Sequence, residues 1–156
     1  MLNDGSLDYS HSILSTFDLM TASVHSNLKM GKEKAMARLL KAIENPFTTI
    51  PGHMTGRLLS RREYPVAHKK IIDACAANHV VIEINAHPRR LDMRWQWIEC
   101  ALSKNVLLSI DPEAHSILEF ENVTDGVLVT QKAMMTAKDN LNSFTLAEFE
   151  KFNAKK

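Results

Sequence analysis

Short β-branched runs alternate with helical stretches along this chain, and that alternation restricts the fold more than any other feature of the sequence. Leu19 to Val24 reads as a strand, followed by a helix from Lys32 to Ile43. The helix has one apolar face, because Ala35, Met36, Leu39, Leu40 and Ile43 recur at three- and four-residue spacings. Asn45-Pro46 ends it, since the residue before a proline is pushed out of helical geometry. Phe47 to Ile50 reads as a second strand, Pro65 to Asn78 as a helix, and Val80 to Ile84 as the clearest strand. A helix from Asp92 to Ser103, a strand from Val106 to Ile110 and a strand from Gly126 to Val129 follow. Two short helical segments close the chain, the last starting at Thr145, with Glu148 completing a capping box. Strands separated by helices make βα units and a mainly parallel sheet, and runs that are apolar on both faces belong in a buried sheet. Five strands are too few to close an eight-stranded barrel. The pattern therefore predicts one α/β domain over residues 1–156 and leaves an open sheet and an incomplete barrel as alternatives.

The chemistry-bearing residues follow those strands. His25 comes after the first, His53 after the second, Glu83 and Asn85 end the third, and Asp111, Glu113 and His115 follow the fourth. In βα architectures the carboxyl ends of parallel strands share one rim, where ligands bind. Imidazoles and carboxylates gathered on one rim suit Zn²⁺, Mn²⁺ or Fe better than Ca²⁺ or Mg²⁺ alone. Any single histidine in this set also reads as a surface or capping residue, so the case rests on the combination.

Composition narrows the partners. A formal net charge of +1 provides no overall basic field for nucleic acid. The short basic pairs Arg61-Arg62, Lys69-Lys70 and Arg89-Arg90 read as solvated surface. No run approaches the roughly 18 apolar residues of a membrane span, and the polar start of the chain lacks a signal-peptide core. Cys75 and Cys100 match no metal spacing and read as reduced, packed thiols. These features predict a cytoplasmic protein with no membrane partner. Trp95 and Trp97 flank Gln96 on a helix and therefore face different ways.

Four segments, in order, carry a family resemblance: Ser23-Val24-His25-Ser26, Gly52-His53-Met54-Thr55-Gly56-Arg57, Glu83-Ile84-Asn85-Ala86-His87-Pro88-Arg89-Arg90-Leu91-Asp92 and Asp111-Pro112-Glu113-Ala114-His115-Ser116. Together they resemble the later motifs of the PHP (polymerase and histidinol phosphatase) domain at the C-terminus of family X DNA polymerases. Asp4 to Tyr9 resembles the segment just before the first of them. The resemblance implies part of a distorted, seven-stranded βα barrel that binds divalent metal and hydrolyses phosphoesters, commonly at a DNA 3′ end. Carried over by position, His25, His53, Glu113 and His115 match metal ligands, and Arg57 matches an arginine that would grip phosphate bidentately. Glu83, Asn85 and Asp92 match the family's Glu-Ile-Asn and Arg-Leu-Asp pattern, with Glu83 equally suited to a structural role.

The departures are as informative as the matches. Glu113 stands where the family has aspartate and Met54 where it has proline, and His68 falls near a common aspartate position. The family's opening His-x-His motif, its next histidine and its bridging glutamate belong upstream of Asn3. The expectation is accordingly a C-terminal PHP portion with partial metal occupancy and impaired activity. Uncovered barrel edges would favour a homodimer or other self-association. The alternatives are an inactive PHP remnant acting as a structural or interaction domain, and a histidinol-phosphatase-like small-molecule phosphatase.

Overall fold

A computed structural model describes residues 1–59 and 64–154; the basic pair Arg61-Arg62 lies outside the described residues. Helix α2 (Lys32–Ile43), preceded by the single turn α1 (His11–Leu14), spans the predicted range. It buries Ala35, Met36, Leu39, Ala42 and Ile43, and each large aliphatic chain removed from water contributes about 1.5–3 kcal/mol. Glu33 in its first turn and Lys41 in its last complement the helix dipole.

Strands β1 (Thr21–Ser23) and β2 (Ile50–Gly52) pair in parallel, with Ser23 opposite Gly52. Strands β3 (Ile82–Asn85) and β4 (Leu108–Asp111) form a second parallel pair, with Asn85 opposite Asp111. The pairs lie side by side, since the Val81 N–H donates to the Thr49 carbonyl at 3.0 Å. Helices α3 (His68–Ala77) and α4 (Trp95–Leu102) pack with α2 around the core that holds Ile71, Ile72, Ile82, Ile84, Ile98 and Leu108. Trp97 stacks on His68 with ring centroids 4.6 Å apart, whereas Trp95 lies under Lys132, so the two indoles do face different partners.

The segment read as a fifth strand, Gly126 to Val129, is helical and belongs to α5 (Val123–Lys132). Its β-branched composition suggested a strand, but packing against β4 decided the outcome. Gly126 is where α5 approaches the strands: a Cβ there would lie 2.5 Å from Ile110 Cγ2 and 2.7 Å from Ala86 Cβ. Four strands in two parallel pairs therefore stand, among the described residues, in place of the expected five.

The outer edge of β4 is covered. Asn140 bridges Leu108 in parallel fashion, and the Ile110 N–H donates to Asn142 Oδ1 at 2.6 Å. Helix α3 starts at His68, later than Pro65, because the preceding residues are tied elsewhere: the Tyr64 N–H donates to the Thr55 carbonyl. The final helix α6 (Leu146–Asn153) has the expected Thr145–Glu148 capping box. No helix among the described residues is long and apolar enough to cross a membrane, and Cys75 and Cys100 are free thiols.

Candidate functional site

The loops after β1, β2 and β4 meet at the carboxyl ends of the strands. His25 follows β1 and His53 follows β2, and their rings pack edge-on with centroids 5.2 Å apart. His53 is 8% exposed. Its Nδ1 lies 3.6 Å from Glu83 Oε2 and 4.0 Å from Glu113 Oε2, and its backbone N–H donates to the Glu83 carboxylate. Gly52 makes this approach possible, because a Cβ there would collide with Ser23 Oγ and stand 3.2 Å from Glu83 Oε2.

Two residues of the site hold left-handed backbone without being glycine, His53 at φ +28° and Glu113 at φ +49°, as does nearby Leu91 at +45°. Such conformations are costly for side chains with a Cβ and persist where the surroundings impose them. Asp92 is one source of that constraint. It is 1% exposed, and its carboxylate accepts from Thr55 Oγ1 at 2.7 Å, the Thr55 N–H at 3.1 Å and the Arg57 N–H at 3.4 Å. The loop carrying His53 is therefore clamped onto the loop after β3.

The electrostatics are those of a crowded, half-dry site. Burial works against a charged imidazole at His53, but the hydrogen bond and charge of Glu83, with the charge of Glu113, outweigh it and raise its pKa. Burial raises the Glu83 carboxyl, opposed by His53. Burial and then the neighbouring His53 lower His25. Burial raises Asp111, whose Oδ1 accepts from Ser109 Oγ at 2.9 Å.

The residues singled out from sequence separate into three groups. His25, His53 and Glu113 come together. His115 turns outward, with its side chain 77% exposed and its Nδ1 2.9 Å from the Glu113 carbonyl oxygen. Arg57 lies in a neighbouring groove, where its Nη1 donates to the Leu91 carbonyl at 3.0 Å. Among the described residues, a cation that does reach the cluster is Arg90, with Nε 3.4 Å from Glu113 Oε2. Its membership of a basic pair concealed that role. Glu83, equally readable as structural, is central to the cluster; its place within β3, whose residues are all buried, was the available signal.

The donor set matches the chemistry of Zn²⁺, Mn²⁺ or Fe. Glu113 Oε2 is buried and, among the described residues, accepts no hydrogen bond. The geometry does not fit a resident ion as it stands. Among the described residues no three histidine, cysteine, aspartate or glutamate side chains are disposed to hold one metal. A guanidinium already stands against the Glu113 carboxylate.

Over 153 residues, 97% of its length, the chain is 33% identical to the DNA polymerase/3'-5' exonuclease PolX of Bacillus subtilis strain 168. It spans 27% of that protein's length. No protein-family model matches the chain.

Proposed function

This chain is a PolX-related PHP part, and from that premise we propose that it is a phosphoester-processing module with little turnover on its own. The observation that carries the reading is the convergence of His25, His53 and Glu113 from three separate strand-end loops, with Glu113 Oε2 buried and ion-paired to Arg90 yet accepting no hydrogen bond among the described residues. The four strands are read as part of a PHP-type barrel. Within this chain, His25, His53 and Glu113 face the rim, and His115 stands at its margin. Glu83 orients His53, and Asp92 holds the loop that presents it. Impaired turnover follows from the pairing already present: Glu83 engages His53, and Arg90 neutralises Glu113.

Turnover tests this reading. With a generic phosphate ester or single-stranded DNA and added Mn²⁺ or Zn²⁺, a low rate that disappears in both His53→Ala and His115→Ala is expected. Robust turnover that survives both substitutions would remove the cluster from the chemistry. The same ion pairing favours a second reading, a catalytically inactive PHP part serving as a structural or interaction domain. A wild-type rate equal to that of His53→Ala selects it.

Self-association belongs to the same proposal; the outer edge of β4 is covered, and an exposed apolar surface supplies a further reason. Ile117, Leu118, Phe120 and Leu128 are 87%, 79%, 65% and 59% exposed on α5 and the turn before it, a concentration of apolar side chains unusual for a monomer's surface. Light scattering across a tenfold concentration range should give a mass above 17.6 kDa; a mass constant at that value contradicts the expectation.

A further inference from the structure

At the opposite end of the strands from the imidazole–carboxylate cluster lies a cavity of about 280 Å³. Strands β3 and β4 are each four residues long, which puts this end about 13 Å from the rim. Its walls come from separate parts of the fold. Val80 and Val81 lead into β3, Val106 and Leu107 lead into β4, Ala76 belongs to the last turn of α3, and Phe152 reaches in from α6. Two hydrogen-bonding side chains, His79 and Asn105, stand at the exposed lip. The same turn places both. Each has left-handed backbone, at φ +53° and +56°, and each is followed by a valine whose N–H reaches back into the preceding helix. Val80 donates to the Cys75 carbonyl at 2.9 Å and Val106 to the Ala101 carbonyl at 3.1 Å. Among the described residues no lysine, arginine, aspartate or glutamate lines the cavity. A charged ligand would lose its hydration there without an ionic partner, so the lining selects a neutral one. Helix α6 is the least anchored wall: none of its residues is buried, and Phe149 and Phe152 attach it to Ile50, Val81 and Leu141.

We propose that this cavity binds a neutral aromatic molecule of one or two rings carrying a hydrogen-bonding group. A cavity of about 150 Å³ suffices for benzene, so this one has room for two fused rings. The apolar body of the ligand packs on the valines, Leu107 and the Phe152 ring, which favours an aromatic partner in offset or edge-on contact. Its polar group meets His79 or Asn105 at the lip. A mostly apolar concavity with a few convergent polar groups is the usual make-up of a small-molecule site. The site needs neither metal nor phosphate, and it stands whether or not the rim processes phosphoesters. A molecule held there also stabilises the folded chain by mass action.

The test follows the backbone amide resonances of the full chain during titration with indole, a probe that is neutral, bicyclic and has one N–H. Saturable shifts centred on Val81, Val106 and Leu107 are expected. His53→Ala should bind indole within about twofold of wild type, as expected for a separate site, so failure of the phosphoesterase reading leaves this result unchanged. Ala76→Leu extends a side chain into the cavity and should weaken binding at least about tenfold. Circular dichroism shows whether that variant is folded; if it is not, Val106→Ile replaces it, with weaker binding again expected. The His79→Gly/Asn105→Gly double variant keeps backbone that glycine adopts readily and removes both polar side chains. It should weaken indole binding by at least about threefold and leave benzofuran, the same ring system without an N–H, within about twofold. Absence of saturable shifts up to the solubility limit of indole overturns the proposal, as does a wild-type indole affinity in the folded cavity-filling variant.

Discussion

Replacing Asp92 by alanine is expected to cost about 3–4 kcal/mol of folding stability, because it strands buried donors worth roughly 1–3 kcal/mol each. The donors are the Thr55 hydroxyl, the Thr55 N–H and the Arg57 N–H, all of which point at one carboxylate that is 1% exposed. For a chain of this size each kcal/mol shifts the melting temperature by about 2–4 °C, so the variant should melt roughly 10 °C lower. Asp92→Asn keeps one acceptor oxygen and should fall between the two. The native carboxylate also imposes a pH trend. Burial raises its folded pKa above 3.8, so in the window between those values the native state binds more protons than the unfolded one. Its contribution to stability therefore grows as pH falls through the folded pKa and weakens as pH rises, and the alanine variant loses that contribution. Thermal melts of the three proteins between pH 4 and 7.5 check both statements. A loss below about 1 kcal/mol for Asp92→Ala would mean that surface water satisfies these donors and that Asp92 does not organise the loop.

Arg38→Ala is expected to be the other severe substitution, at about 3 kcal/mol or more, combining the loss of charge-assisted hydrogen bonds with a cavity. Arg38 is 1% exposed on α2, and its guanidinium donates at 2.8 Å to the carbonyls of Met1, Leu2 and Ser26. It thus ties the N-terminal segment and the residue after His25 to the helix core. Chemical denaturation measures the loss, and amide exchange around Ser26 should quicken in the variant. Lys41→Ala, which removes an exposed pair with Asp4, serves as the control and should change little. Equal effects of the two substitutions would contradict the role given to Arg38.

Much of this arrangement is legible in the chain because it depends on local pattern. The spacing of Ala35, Met36, Leu39 and Ile43 marks helix α2 to its ends, and Val80–Ile84 and Val106–Ile110 foretell β3 and β4 within two residues. The order of histidines and carboxylates after successive strands likewise anticipates the meeting of His25, His53 and Glu113. What is not legible depends on contacts distant in sequence. Gly126 to Val129 has strand-like composition, yet α5 forms because a helix with glycine at that point fits against Ile110 and Ala86. Side-chain direction in the loops is hidden for a related reason. Left-handed backbone at His53, Leu91 and Glu113 re-aims the residues around them. Arg90 consequently takes the place beside the carboxylates, while Arg57 turns into the neighbouring groove and His115 faces solvent.

We read the strand-end cluster as a metal-type donor set left incomplete, with Arg90 against its carboxylate. Elemental analysis of the chain, purified without chelators and then equilibrated with Zn²⁺ or Mn²⁺ and desalted, tests it most directly. Two imidazoles and one carboxylate give too few ligands for a multinuclear centre. At most one ion per chain, bound substoichiometrically and lost in His53→Ala, is the predicted result; two or more stoichiometric ions per chain would contradict it.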